Sequence, residues 1–132
     1  MVMKGRVIIA IVLTMAISGC IHGGEVDYAN KIDVALKDGP VVAYFYSDWC
    51  PACAPQKPII EELDKEHGGD VTFILINIDE DATAMRKYDI RRIPTTIVFA
   101  SGESYMRHVG VTDKETLNTS IQWAMLNRGP GL

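Results

Sequence analysis

The feature that most limits what this chain can become is Trp49-Cys50-Pro51-Ala52-Cys53, two cysteines two residues apart where one hydrophobic period gives way to another. Before it, Val41-Val42-Ala43-Tyr44-Phe45-Tyr46 is an unbroken apolar run of strand length, as a buried strand requires. After it, Ile59, Ile60 and Leu63 recur among Glu61, Glu62, Asp64, Lys65 and Glu66, the pattern of an amphipathic helix. This puts Cys50 at the N-cap and Pro51 at the first helical position, where a missing N–H would have had no partner anyway. The N–H groups of Ala52 and Cys53 are then expected to point at the Cys50 sulfur. With the positive end of the helix dipole they favour thiolate over thiol. On this reading Cys50 is the nucleophile and Cys53 the resolving thiol, with Pro51 and Ala52 modulating them.

A Cys-x-x-Cys pair is also half of a structural zinc site, which needs four ligands. The chain has one other cysteine, Cys20, and three scattered histidines, His22, His67 and His108, with no second pair at ligand spacing. Strand, dithiol and helix in that order read as a redox motif with no metal, and with no cofactor beyond the dithiol itself.

The 132 residues suit one domain, and 48% hydrophobic with 23% charged content is ordinary for a globular protein. The formal charge is −4, or −6 without Lys4 and Arg6. That balance, with no basic run interleaved with aromatics, argues against a nucleic-acid partner. Lys4 and Arg6 precede an apolar stretch from Val7 to Ile17, broken only by Thr14, and then Ile17-Ser18-Gly19-Cys20. The stretch is short for a membrane span, which takes about 20 apolar residues. Residues 1–19 therefore read as a signal peptide, and Ile-Ser-Gly-Cys resembles the lipobox of prokaryotic lipoproteins, with Cys20 the lipidated residue after cleavage. An incidental Cys20 in an ordinary signal peptide, or an uncleaved anchor, are the alternatives. All predict a domain working outside the cytoplasm, on the outer face of the cytoplasmic membrane. Residues 20–27 form a short tether reaching at most roughly 20 Å, and residues 28–132 the domain.

Within the domain, Tyr28 to Leu36 is expected to be a helix stopped by Gly39-Pro40. The strand from Val41 and the Cys50 helix follow, with a kink at Pro58. Val71 to Ile78 is apolar at nearly every position, as for a central strand covered on both faces. Asp79-Glu80-Asp81 reads as the solvated start of a helix running through Met85 to Tyr88. Thr95 to Ala100 and Tyr105 to Val109 should form a hairpin through Ser101-Gly102. Thr112 and Glu115 suggest a capping box for a last helix with Leu117, Ile121, Ala124 and Met125 buried, ended by Gly129-Pro130. The order α-β-α-β-α-β-β-α predicts two crossover helices linking parallel strands, then a hairpin and a closing helix. The fold class is α/β, a four-stranded mixed sheet flanked by helices on both faces.

That order and these motifs resemble the thioredoxin family from about residue 28 onward. Trp49-Cys50-x-x-Cys53 is similar to its active-site signature, and Pro58 to its helix-kinking proline. Asn77-Ile78-Asp79 resembles the end of its central strand. Tyr88-Asp89-Ile90-Arg91-Arg92-Ile93-Pro94-Thr95 resembles the segment bearing its cis-proline, and Val109-Gly110 its groove-lining glycine. The resemblance implies a thioredoxin-like fold and a cis Ile93–Pro94 bond that turns a carbonyl and an N–H toward the dithiol. A partner peptide would pair there like an added strand, so Trp49, Ile93, Pro94 and Gly110 are implied substrate-binding residues. Three departures stand out. Pro51-Ala52 replaces glycine and proline between the cysteines. The family's buried aspartate and partner lysine fall at Tyr44 and Leu75. Arg92 occupies a position that is often small, where its charge would modulate the Cys50 thiolate.

The resemblance implies a thiol–disulfide oxidoreductase acting on protein thiols and disulfides. Cys50 attacks, a mixed disulfide forms, and Cys53 resolves it to leave Cys50–Cys53 oxidised. Ile93 before the proline is thioredoxin-like and leans toward the reductase direction. A membrane electron donor or acceptor, a monomeric state, and membrane attachment through Cys20 complete the expectation. Two other classes compete: a soft-metal (copper) delivery module using the two thiols, to which His108 could add a ligand although a satisfied or solvated strand histidine is its more ordinary reading, and a peptide-binding fold without turnover.

Overall fold

The computed structural model describes residues 26–101 and 104–128. The expected signal segment, Cys20, His22, the expected tether as far as residue 25, Gly102 and Gly129-Pro130 lie outside the described residues. Among the described residues, no helix is long and apolar enough to cross a membrane.

The elements run α1 (Tyr28–Ala35), β1 (Val41–Tyr46), a 3-10 turn (Pro51–Cys53), α2 (Gln56–His67), β2 (Thr72–Asn77), α3 (Ala82–Lys87), β3 (Thr95–Ser101), β4 (Ser104–Val109) and α4 (Lys114–Leu126). The sheet order is β2-β1-β3-β4. β1 is parallel to β2 and antiparallel to β3, and β3 is antiparallel to β4. Only α2 therefore joins parallel strands. The expectation of two such crossovers fails at α3, because the chain leaving α3 enters β3 in the reverse direction.

Alternation along β1 divides the core in two. Val41, Ala43 and Phe45 point to one face, packing with Ile97 and Phe99 against Ala29 and Ile32 of α1 and Ala84 of α3. Val42 and Tyr44 point to the other, packing with Val98 and Ala100 against Ile60 and Leu63 of α2 and Leu117, Ile121 and Ala124 of α4. Helices on both faces are thus required by β1, whose first five residues are all buried.

Four local expectations are corrected. β2 is an edge strand among the described residues, not a central one: its first residue is exposed, the next three are half-buried, and only Ile76 and Asn77 are buried. Its apolar run reflects side chains half-covered by helices, a distinction the run itself does not encode. Asp81 is not a solvated helix start. It is 1% exposed and caps α3 by accepting the N–H groups of Thr83 and Ala84, while its other oxygen accepts the N–H of Tyr28. The cap of α4 is Asp113 rather than Thr112: its carboxylate accepts the Thr116 N–H and hydroxyl. A carboxylate one residue later serves the same first-turn donors. Finally, the Cys50 helix does not run unbroken from Pro51: α2 begins only at Gln56, with Pro58 in its first turn. The chain instead makes the 3-10 turn and restarts.

Candidate functional site

The C-terminal ends of β1 and β2 and the start of β3 meet at the dithiol. Cys50 is extended (φ −88°, ψ 106°) and precedes the 3-10 turn, with Pro51 first in that turn. Cys50 and Cys53 are joined as a disulfide with Cα atoms 5.3 Å apart, a span ordinary for a bridged pair. The Cys50 sulfur accepts no capping hydrogen bond here. The Cys53 N–H goes instead to the Cys50 carbonyl at 3.1 Å, because a tight turn directs that donor at the backbone. Both cysteines are buried, at 8% and 3% exposure, whereas Pro51 and Ala52 are exposed.

The other predicted site residues surround the bridge. Ile93–Pro94 is cis, and the Ile93 carbonyl oxygen lies 3.9 Å from the Cys50 sulfur. The Pro94 carbonyl accepts the N–H of Gly110 at 2.8 Å, so the two backbone segments are adjacent. Gly110 has φ +90° with open space where a side chain would stand, a conformation suited to glycine. Trp49 is 67% exposed and donates its indole N–H to Asp79 at 3.0 Å. Asn77 donates to Asp48 at 3.2 Å and accepts the Asp79 N–H, so the loop before Cys50 is braced on the end of β2. Arg92 is exposed. Among the described residues its side chain pairs with neither Asp48 nor Asp89, since Arg91 takes Asp89 at 2.9 Å.

Tyr44 stands where the family resemblance places an aspartate, wholly buried, with Leu75 its paired neighbour on β2. Its hydroxyl donates to the Cys53 carbonyl at 3.0 Å. Burial, helped by the neighbouring Tyr46, pushes its pKa up to about 12, so it remains protonated at neutral pH. A cavity of about 130 Å³ beside both cysteines is lined by Tyr44, Tyr46, Ser47, Asp48, Ala54 and Lys57. The buried Ser47 hydroxyl finds no partner among the described residues, and the space is sufficient for a few waters at about 30 Å³ each.

Gln56 is a residue that pattern reading passed over. It is fully buried, accepts the Thr112 N–H at 2.6 Å and donates to the Thr112 carbonyl at 3.2 Å. This pair of hydrogen bonds fastens the first residue of α2 to the loop after Gly110. The available signal was a lone polar residue at a position that α2 turns inward.

His108 accepts or donates at Ser120 Oγ, 2.8 Å away, and burial lowers its pKa, with Asp113 opposing. It is committed to the β4–α4 contact. Among the described residues no three His, Cys, Asp or Glu side chains cluster as metal ligands.

The Thioredoxin family model matches residues 25–123. The chain is 38% identical over 97 residues to a thioredoxin of Rickettsia bellii, covering 74% of this chain and 90% of that one. It is 37% identical over 91 residues to that of Rickettsia conorii, covering 69% and 87%. It spans about half of the longer chloroplastic M-type thioredoxin of Brassica napus, at 38% identity over 67% of this chain. Among solved structures, chloroplastic thioredoxin z superposes with a TM-score of 0.65 at 20% identity, over 74% of this chain and 89% of that chain. That likeness concerns the fold.

Proposed function

The chain belongs to the thioredoxin family, and from that premise we propose that it is a membrane-tethered protein-disulfide reductase working outside the cytoplasm. That it is a thiol–disulfide oxidoreductase whose redox group is the Cys50–Cys53 disulfide follows from the family and the bridge. The observation that carries the roles of the two thiols is that Cys50, next to exposed Trp49, faces the Ile93 carbonyl; the reductase direction is supported by Ile93 before Pro94 and the location by Ile17-Ser18-Gly19-Cys20.

In the reductive direction the Cys50 thiolate attacks a substrate disulfide held along Ile93–Pro94 and Gly110. A Cys50–substrate disulfide forms and one substrate thiolate leaves. Cys53 then loses its proton and attacks Cys50 Sγ, the Cys50–Cys53 bond closes, and the second substrate thiolate leaves and is protonated. Two electrons pass to the substrate, and a membrane reductant restores the dithiol. Direction is set by potential, which for this chemistry ranges from about −270 mV in thioredoxin to about −120 mV in a strong periplasmic oxidase. Equilibrating the protein with glutathione buffers should give a value near the reducing end. A value near the oxidising end would reverse the direction.

Location is tested separately. Ile17-Ser18-Gly19-Cys20 predicts a mature N-terminal Cys20 carrying a two-chain lipid, since one acyl chain holds only marginally. Mass spectrometry of membrane-extracted protein should find it; an intact Met1 with unmodified Cys20 would point to an uncleaved anchor or a protein that is not exported.

A further inference from the structure

Beyond Ile93 the substrate face continues into a second groove. Arg91, Arg92, Thr95, Tyr105, Arg107 and Val109 enclose about 520 Å³. Arg91 and Arg92 also line the cleft of about 140 Å³ that holds Trp49 and Ile93, so the groove is continuous with the dithiol's own surroundings. Its charge is lopsided. Asp89 is the one carboxylate lining it, and that group is taken by Arg91. Arg107 is held by the carbonyls of Tyr88 at 2.8 Å and Asp89 at 3.5 Å, which fix a guanidinium without neutralising it. Arg92 makes no ion pair with any described residue.

Two uncompensated guanidiniums thus face one groove on a chain whose net charge is −4. Val109 lies between them and Tyr105 on the far side of Arg107 along β4, and both are half exposed, at 55% and 50%. They lie on β4, an edge strand among the described residues, so its outer backbone groups are open to an added extended segment.

We propose that this groove receives an acidic stretch of the partner protein, next in sequence to the cysteine presented over Pro94. Carboxylates pair with Arg92 and Arg107, an apolar side chain between them rests on Val109, and one beyond Arg107 rests on Tyr105. Guanidinium forks suit carboxylates in two-point contact, and a positive island on a net-negative chain attracts acidic segments only within about a Debye length, beyond which the net negative charge dominates. The site therefore selects among partners already close to the dithiol. The proposal rests on Cys50 as the attacking thiol and not on the direction of exchange.

The test uses the reduced protein in single turnover with two synthetic peptides. Each has one cysteine capped as a mixed disulfide with thionitrobenzoate, flanked by three glutamates in one and three lysines in the other. Cys50 attacks the peptide sulfur and expels coloured thionitrobenzoate. Cys53 gives up its proton and displaces the peptide thiolate, which takes up a proton, and the protein ends as the disulfide. The glutamate peptide should react about tenfold faster at low ionic strength, with the ratio falling toward one as salt is added. Arg92→Gln should reduce that ratio several-fold and Arg92→Glu should invert it; Arg107→Lys, which keeps the charge, should retain most of it. Taking the ratio within each protein cancels any change in Cys50 reactivity, and the absolute rate reports on Cys50 separately. Equal rates for the two peptides at low salt, or a glutamate preference that survives Arg92→Glu, would overturn the proposal.

Discussion

A tyrosine buried beside a dithiol does different chemistry from a buried aspartate. Tyr44 holds its proton, with a pKa pushed up to about 12 by burial, and spends it on the Cys53 carbonyl. It therefore fixes the turn that carries Cys53 and takes no proton from the thiol at neutral pH. Tyr44→Phe should lose one buried hydrogen bond, about 1 kcal/mol of unfolding free energy in urea, and leave the pH profile of the resolving step unchanged. Tyr44→Asp puts a carboxyl among Val42, Ile60 and Leu63. It should be less stable still, yet add an inflection to that profile as the new acid ionises. A shifted profile in Tyr44→Phe would contradict this division of roles. The resemblance to the family indicated that Tyr44 displaces an acid; nothing in the local pattern indicated that its hydroxyl reaches Cys53, nine residues on, because that contact depends on how tightly the 3-10 turn folds back over β1.

At the scale of elements, the site is an assembly of strand ends and loops held by a few buried polar contacts. Gln56 is the clearest, since it joins α2 to the loop carrying Gly110 and Thr112. Gln56→Leu keeps the volume roughly but leaves the Thr112 N–H and carbonyl without their partners. The expected loss is about 2–3 kcal/mol, from two orphaned backbone groups. Because Gly110 also bonds Pro94, a peptide disulfide should show a raised KM while a small disulfide changes less. Equal changes for both would mean that Gln56 supports only stability. Sequence periods located every strand among the described residues to within a residue or two and identified every helix, but started α2 five residues early, at Pro51 rather than Gln56. They misplaced the cap of α4 and the nature of the break before α2, since Thr112 and Asp113 are both good caps. The Thr112 hydroxyl instead donates to the Gly110 carbonyl, while Gln56 holds the Thr112 backbone.

Across the whole molecule, β4 and α4 are joined through His108 and Ser120, and that contact makes stability depend on pH. Burial lowers the His108 pKa below its ordinary 6.5, with Asp113 opposing the shift. The neutral ring is thus favoured by folding. Its contribution is fully present above about pH 6.5 and is lost as pH falls through the lowered folded-state value. The urea midpoint should drop as pH falls below about 6.5, and His108→Gln should flatten that segment of the curve. A curve of the same slope in the variant would assign the dependence elsewhere. The sequence by itself determined the dithiol, the strand that leads into it, the helix faces and the overall order of elements, because each is written in residues a few positions apart. Only the tertiary structure decided that β2 lies at an edge, that β3 reverses, and that Arg92 and Arg107, fifteen residues apart, line one groove. Those outcomes depend on which distant segments pair, and no local period carries that choice.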